Sequence, residues 1–288
     1  MTWTSAADFT ELWFNGFTHG ECREVLEAAS GYKASRLLIT RYKAAVLTEW
    51  ASDRGLRTAL SDFDVIESGT LENKGHWINM GRRAPAGHGL CFVYLGHRLR
   101  DVRAACASDA SGEDAGLLAD LFRIPECCLR FYELHAERAR MEFDNDYAVV
   151  TTEATTATGP YPWYNNYLAQ YFGHSLIHHF PCRWDCEASQ SRALYSLNLI
   201  ADVSASWARL TEAKCRGTVW FSPRDGVHMV QGHLISRGDD YRADEVVSTV
   251  HSDLTYALKL GADRSTWDPA ATDRPPGVPK DAVRLEFD

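Results

Sequence analysis

Two compact blocks of cysteines constrain this 288-residue chain more than any other feature of its sequence. One block is Pro125–Cys128 and the other is Pro181–Cys186, and the pattern after each predicts the start of a helix. Unpaired backbone N–H groups at a helix start stabilise negative charge, so thiols there ionise more readily than in free cysteine. A fold that brings the two helix starts together would supply three or four sulfur ligands to one metal centre.

The spacing of the cysteines indicates which centre they would form. Soft thiolates select zinc or an iron–sulfur cluster over magnesium or calcium. Cys182 and Cys186 have the spacing of one half of a structural zinc site. Adjacent Cys127 and Cys128 do not, because neighbouring side chains on a helix diverge by about 100°. The sequence therefore favours a [4Fe-4S] cluster, with zinc as the alternative; if only one of the adjacent pair binds, the fourth position is open or filled by histidine.

Two other states of these cysteines stay open, namely a disulfide between the blocks and inert buried thiols. The first twenty residues do not have the pattern of a signal peptide, which predicts a cytoplasmic chain with reduced thiols. Reduced, clustered cysteines favour metal binding or catalysis over disulfides. The isolated cysteines are predicted to be core residues: Cys22, Cys91, Cys106 and Cys215.

Charge and hydropathy restrict the classes of partner. The net charge of −9 argues against non-specific binding to nucleic acid or to anionic membrane surfaces. No run of about 20 apolar residues is present, so the sequence predicts no membrane span. A small-molecule substrate is the predicted partner, and the sequence leaves the oligomeric state open.

Hydrophobic periodicity predicts an α+β fold of helices and mostly antiparallel strands, with the metal site at two helix N-termini. Helices are predicted over 21–29, 42–54, 99–107, 113–122, 125–141, 186–213 and 244–260. Extended segments are predicted over 57–66, 76–80, 90–95, 218–221, 227–236 and 283–287. Asp185 is predicted to cap the helix that starts at Cys186.

A polar stretch over 108–112 marks the predicted domain boundary. It divides the chain into an N-terminal α+β region, 1–108, and a cysteine-containing α+β region, 109–288, which ends in an irregular tail rich in Pro and Asp. A single domain that includes both regions is the alternative.

The segment 154–182 has no charged side chain among Asp, Glu, Lys and Arg, but it is rich in aromatic, amide and imidazole groups. Such a segment would line a polar, water-poor pocket, or it would pack as ordinary core. The residues predicted to contact substrate are Tyr161, Trp163, Tyr164 and Asn165.

Three side chains near the cysteine blocks are predicted to do acid–base work. His178 and His179 precede the second block closely enough to transfer protons or to serve as a fourth ligand. Glu126, inside the first block, is a further acid–base candidate.

The segments 121–128 and 179–189, taken together, resemble an uncharacterised prokaryotic family, domain of unknown function 483. Members of that family similarly have a Pro-Glu-Cys-Cys block and a later Pro-Cys-x-x-x-Cys block. The resemblance extends over about residues 115–235. It implies that both blocks belong to one site, it implies no activity, and it leaves the first hundred residues unexplained.

The sequence as a whole predicts a metalloenzyme that acts on a small polar substrate by Lewis-acid, sulfur-transfer or redox chemistry. One alternative is a zinc-stabilised binding or scaffold protein without catalysis. Another is a metal-free thiol enzyme, in which Cys127 or Cys128 is the nucleophile and His178 or His179 is the base.

Overall fold

The protein has an α+β fold in which ten α-helices surround two antiparallel sheets, counted over the residues that the structure describes. The structure is a computed structural model, and it describes residues 6–67, 81–112, 114–143, 145–222, 226–231, 245–250, 252–261 and 283–288. The α-helices are α1 Ala6–Phe14, α2 His19–Ala29, α3 Arg41–Asp53, α4 Leu99–Ser111, α5 Ala115–Phe122, α6 Glu126–Phe143, α7 Ala148–Ala154, α8 Glu187–Val203, α9 Ala205–Cys215 and α10 Asp253–Gly261. Two short 3-10 helices occupy Trp163–Asn165 and Tyr167–Phe172.

Each sheet has four described strands. The strands are β1 Ser35–Ile39, β2 Arg57–Glu67, β3 Gly81–Pro85, β4 Leu90–Gly96, β5 Gly217–Ser222, β6 Gly226–Gln231, β7 Glu245–Ser248 and β8 Val283–Phe287. The first sheet has the order β1-β4-β2-β3 and the second has the order β7-β6-β5-β8. All of these pairings are antiparallel, which confirms the predicted strand arrangement.

Two strands of the second sheet, β5 and β6, correspond to the predicted extended segments 218–221 and 227–236. β5 pairs with β6, with Thr218 opposite Val230, as the two apolar runs predict. β8 joins the other side of β5 and forms an edge of the sheet, as predicted for 283–287. The predicted extended segment 76–80, the predicted irregular tail and the end of the 227–236 strand lie outside the described residues.

One large hydrophobic cluster connects the sheets to the cysteine region. It contains Val93 from the first sheet, Phe221 from the second and Trp50 from α3, all buried. Trp184, in the middle of the second cysteine block, is completely buried in the same cluster. The second cysteine block, 181–186, is therefore anchored in the main hydrophobic core by Trp184.

The helix predicted over 186–213 is two helices. The backbone of Ser204 is extended, with φ −160° and ψ 110°, and its hydroxyl accepts the N–H of Trp207 to cap α9. A serine that caps a new helix ends the old one, because the extended backbone interrupts the α-helical hydrogen bonds. Leu194 of α8 and Leu210 of α9 are exposed.

The prediction of a helix over 244–260 is also wrong for the first half of that segment. Val246 and Val247 belong to β7, where they lie opposite Val230 and Met229 of β6. β-Branched residues fit a paired strand well, and pairing with β6 outweighs their compatibility with a helix. α10 begins only after Ser252.

The polar stretch predicted as a domain boundary lies mainly within a helix. α4 continues to Ser111, and Gly112 ends it in the left-handed conformation, with φ 72°. The sequence pattern also missed α1, α7, β1 and β3. The division into 1–108 and 109–288 stays a prediction.

Candidate metal centre

The first cysteine block begins α6, as the sequence predicts. The carbonyl of Pro125 accepts the N–H groups of Cys128 and Leu129, each at 2.9 Å, so Pro125 lies just before the helix and not at its first position. Cys127 and Cys128 therefore occupy the first turn, where backbone N–H groups favour thiolates.

The second block is a tight loop that leads into α8. The N–H of Cys186 donates to the carbonyl of Arg183 at 3.1 Å, and Cys186 is the residue that precedes the helix. The predicted cap, Asp185, instead accepts a hydrogen bond from the Arg183 guanidinium at 3.1 Å. Asp185 is one residue too early to cap α8, so that prediction is wrong.

Three threonine side chains hold the Pro181–Cys186 loop in place. The backbone N–H of Trp184 donates to Thr155 Oγ1 and its indole N–H donates to Thr152 Oγ1, both at 3.0 Å. Thr151 Oγ1 donates to the carbonyl of Pro181 at 3.0 Å. All three threonines belong to the α7 region, which the sequence reading missed, because scattered threonines give no pattern of their own.

The fold brings all four predicted cysteine ligands together. The sulfur of Cys186 lies 3.7 Å from that of Cys127 and 3.8 Å from that of Cys128. The two adjacent sulfurs are 3.9 Å apart. With Cys182 included, all four sulfurs lie within 4.8 Å of one another, a group that could hold a metal ion.

Adjacency in the sequence does not keep the sulfurs of Cys127 and Cys128 apart. Cys127 and Cys128 do diverge around α6, since Cys127 is exposed and Cys128 is buried. Cys186 nonetheless lies close to both sulfurs, at 3.7 and 3.8 Å.

Hydrogen bonds distribute charge unevenly among the four sulfurs. The thiols of Cys128 and Cys182, together with the backbone N–H of Ser189, lower the pKa of Cys186 well below its ordinary value. The pKa of Cys128 is raised, because its thiol interacts with Cys182 and Cys186 and is buried. The N–H of Cys182 also donates to Cys128 Sγ at 3.4 Å.

The other cysteines are separate from this centre. All eight cysteines are free thiols. Cys22, Cys91 and Cys215 are buried, as predicted, whereas Cys106 is only partly buried beside the first sheet.

The three predicted acid–base residues have different surroundings. Glu126 is mostly exposed and forms an ion pair with Arg130, one turn further along α6. His179 is buried, and its Nε2 lies 2.9 Å from Ser189 Oγ. His178 lies with Nδ1 at 3.7 Å from a Glu24 carboxylate oxygen. Their catalytic roles stay predictions.

A cavity of about 390 Å³ adjoins the cysteine centre. Its lining includes Cys128, His178 and His179, together with Arg36 and Asp109. Its volume is in the range of small-molecule sites. The structure thus places both predicted histidines and one predicted ligand beside a space that a small molecule could occupy.

The four residues predicted to bind substrate lie elsewhere. Tyr161 pairs through its backbone with Glu286 and Asp288 at the β8 edge. Asn165 is buried and donates to the carbonyl of Trp184 at 2.7 Å, and the Tyr164 hydroxyl reaches Gln190 of α8 at 3.4 Å. None of these residues, nor the buried Trp163, is among the described residues that line the cavity. Their substrate-binding role stays a prediction.

A second group of close ligand atoms consists of Glu24, Glu27 and His178. Both carboxylates are already paired inside the protein. Arg23 lies 2.8 Å from Glu24 and 3.0 Å from Glu27, and Lys33 lies 3.1 Å from Glu27 and also pairs with Glu24. These charges outweigh burial and lower the pKa of both carboxyl groups to about 2.

This buried network was not visible in the sequence. Eight consecutive residues of α2, from Cys22 to Ala29, are buried, so no polar face marks the helix. Arg192 of α8 completes the network at 3.3 Å from Glu27. Arg192 is 165 positions from its partner Glu27, and no local pattern connects them.

Comparison of the chain with protein-family models, with curated proteins and with solved structures found no match. The resemblance to domain of unknown function 483 therefore rests on the two cysteine blocks alone and stays a prediction. Over the part of the chain that the structure describes, no helix combines the length and apolar character that crossing a bilayer requires.

Proposed function

We propose that the protein binds a single zinc ion through Cys127, Cys128, Cys182 and Cys186. The observation that supports this is the spacing of the sulfur atoms, three pairs of which are 3.7, 3.8 and 3.9 Å apart. Four sulfurs about 2.3 Å from one tetrahedral zinc ion lie about 3.8 Å from one another. The three separations among Cys127, Cys128 and Cys186 are close to this value, which supports a single ion.

An iron–sulfur cluster, which the sequence favours, fits this spacing less well. In a [4Fe-4S] cluster each cysteine binds a different iron atom, so the four sulfurs stand farther apart than ligands of one ion. All four sulfurs here lie within 4.8 Å. A cluster would need α6 and the Pro181–Cys186 loop to separate, and Trp184 holds that loop in the core.

The proposed role of the ion is to join distant elements. Four thiolates fill a tetrahedral zinc ion, which is the arrangement of structural sites and leaves no position for substrate. The ion would tie the start of α6 to the start of α8 across 59 positions of sequence. N–H groups of Cys182 and Ser189 would stabilise the excess negative charge of four thiolates on one divalent ion.

Metal analysis of the purified protein tests this proposal. We expect about one zinc per chain and a colourless protein, and we expect cobalt substitution to give the visible bands of a tetrahedral thiolate site. Cys186→Ser is expected to lose the metal, while the matched variant Cys106→Ser keeps it, because Cys106 lies outside the centre. Brown protein that contains iron and inorganic sulfide would contradict the zinc proposal and support the cluster.

A second candidate is a metal-dependent enzyme that acts on a small polar substrate. The observation that favours it is the cavity lined by Cys128, His178 and His179. In this candidate the histidines move protons on a molecule in the cavity, and the metal holds the cavity wall in place. Turnover of a substrate that stops in His178→Gln, with metal content unchanged, would support it; turnover that persists would contradict it.

A further inference from the structure

The four sulfurs of the cysteine centre differ in their access to solvent. Cys127 is exposed, Cys182 is partly buried, and Cys128 and Cys186 are buried. The sulfur of Cys127 nevertheless lies 3.7 Å from that of Cys186 and 3.9 Å from that of Cys128. A small oxidant that arrives from solvent therefore meets Cys127 first, and a second sulfur is already close to it.

The susceptibility of a cysteine to oxidation follows its exposure and its thiolate character. Zinc binds cysteines as thiolates, so the proposed ion would keep the exposed sulfur of Cys127 in its reactive form. The isolated cysteines are less suited to react, because burial raises the pKa of their thiols: Cys22, Cys91, Cys106 and Cys215.

Backbone geometry decides which neighbouring sulfur can bond to that of Cys127. Residues joined by a disulfide usually have Cα atoms about 4.4–6.8 Å apart. The Cα atoms of adjacent residues are only about 3.8 Å apart across a trans peptide, so a bond between Cys127 and Cys128 would strain the first turn of α6. Cys186 comes from a separate segment, and its contact with Cys127 is the shortest of the three among these sulfurs.

We infer that Cys127 is a site of oxidation by peroxides and that Cys186 converts the oxidised sulfur into a disulfide. This bond would remove two of the four thiolate ligands and so release the zinc ion. The release of zinc rests on the proposed function, whereas the assignment of the two cysteines rests on the exposure and spacing of their sulfurs.

The reaction with hydrogen peroxide consumes one peroxide and two thiolates. The Cys127 thiolate attacks a peroxide oxygen, so that an S–O bond forms, the O–O bond breaks and hydroxide leaves. The Cys186 thiolate then attacks the sulfur of this sulfenic acid, so that an S–S bond forms, the S–O bond breaks and a second hydroxide leaves. Two electrons pass from the sulfurs to the peroxide, protons from solvent convert both hydroxides to water, and zinc keeps its oxidation state.

Oxidation would replace one link between distant segments by another. Cys127 lies in the first turn of α6 and Cys186 directly precedes α8, so the disulfide would still join the starts of these helices. Only Cys128 and Cys182 would remain as thiol ligands, and a structural zinc site takes four ligands. The oxidised protein is therefore expected to lose its metal and to stay folded.

Treatment of the reduced full-length protein with hydrogen peroxide tests the inference. A zinc-sensitive dye reports release of the ion, and mass spectrometry of tryptic peptides reports the disulfide. We expect one zinc released for each disulfide formed, and recovery of the zinc-bound protein after addition of dithiothreitol and zinc.

The sequence allows the peptide map to identify both partners. Trypsin cleaves after Arg183 and so separates Cys182, in peptide 141–183, from Cys186, in peptide 184–192. Cys127 and Cys128 share peptide 124–130, and fragmentation between them locates the bond. A disulfide from Cys127 to Cys186 is the expected product. A bond to peptide 141–183, a bond at Cys128, or a stable sulfinic acid at Cys127 without a disulfide would overturn the inference.

Two variants complete the test. Cys127→Ser is expected to lose the bond to peptide 184–192, whereas the matched control Cys106→Ser forms it as fast as wild type, because Cys106 lies outside the centre. Formation of that bond at an unchanged rate in folded Cys127→Ser protein would overturn the role of Cys127. Absence of zinc from the untreated wild type would contradict the zinc proposal, and the peptide map of the same sample would still decide whether Cys127 and Cys186 react as inferred.

Discussion

The four-cysteine centre and the group of Glu24, Glu27 and His178 make an instructive pair. In both, potential ligand atoms lie within 4.8 Å of one another. The carboxylates of the second group, however, already face Arg23, Lys33 and Arg192. The cysteine sulfurs contact one another and the backbone N–H groups of Cys182 and Ser189, while Arg183 pairs with Asp185.

This difference shows that proximity of ligands does not by itself indicate a metal site. A cation entering the second group would displace buried ion pairs and add charge to a network that is already positive. A cation entering the cysteine centre would replace protons and neutralise thiolates. Charge balance, and not distance, separates the two groups, and four predictions test that separation.

The largest expected effect is loss of the metal. Cys186→Ser should lower the free energy of unfolding by at least about 4 kcal/mol, the stabilisation from a ligand present at a thousand times its Kd. Chemical denaturation with metal analysis measures it. Cys106→Ser, the matched control, should change stability by less than about 1 kcal/mol. Equal losses in both variants would show that the centre contributes no metal-linked stability.

The next effect concerns the ionic network. Glu27→Gln should cost about 3–5 kcal/mol, because it leaves buried Arg23, Lys33 and Arg192 short of a counter-charge. The same change at exposed Glu212, which pairs with Arg216, should cost less than about 1 kcal/mol. Denaturation curves of both variants measure these losses of unfolding free energy. A small loss for Glu27→Gln would mean that the network is not an electrostatic unit.

A smaller effect is expected on acidification. Glu27 has a pKa of about 2 in the folded protein against an ordinary value of 4.5, so its stabilisation is complete above the ordinary value and is lost toward the folded one. The difference in stability between wild type and Glu27→Gln should therefore shrink by about 2 kcal/mol between about pH 6 and about pH 3. Metal release contributes equally to both proteins and cancels. A stability difference that grows as the pH falls would contradict this prediction.

The last prediction is that one substitution leaves the metal content unchanged. Glu24→Gln should leave the metal content of the folded protein at about one ion per chain, because Glu24 is occupied by Lys33 and Arg23. Elemental analysis after gel filtration gives the number. A wild-type value near two ions per chain, reduced to one by Glu24→Gln, would make the second group a metal site and remove the contrast.

Local patterns predicted much of the fold. The hairpin of β5 and β6, the edge strand β8 and the start of α6 follow from alternation, turn residues and a proline at the helix start. The patterns failed at Ser204 and at Val246, where capping and strand pairing outweighed periodicity. Both failures have the same cause. Hydrophobic spacing alone does not indicate where a cap ends a helix or which segment a strand pairs with.

The candidate site was predicted in part. The sequence identified all four cysteines, and the fold confirms that they lie together. It did not predict that the adjacent sulfurs of Cys127 and Cys128 both lie close to Cys186, because that proximity depends on how two distant segments pack. It also gave no sign of Thr152 and Thr155, which hold Trp184 by single hydrogen bonds.

The sequence by itself determined which groups are available: soft thiols at two helix starts, and two histidines just before the second of them. The tertiary structure alone decided that the four sulfurs lie within 4.8 Å of one another, that Glu24 and Glu27 are neutralised by partners, and that the histidines face a cavity. The reason is physical. Helix starts and turns depend on residues a few positions apart, whereas burial and charge pairing depend on segments that meet only when the core packs.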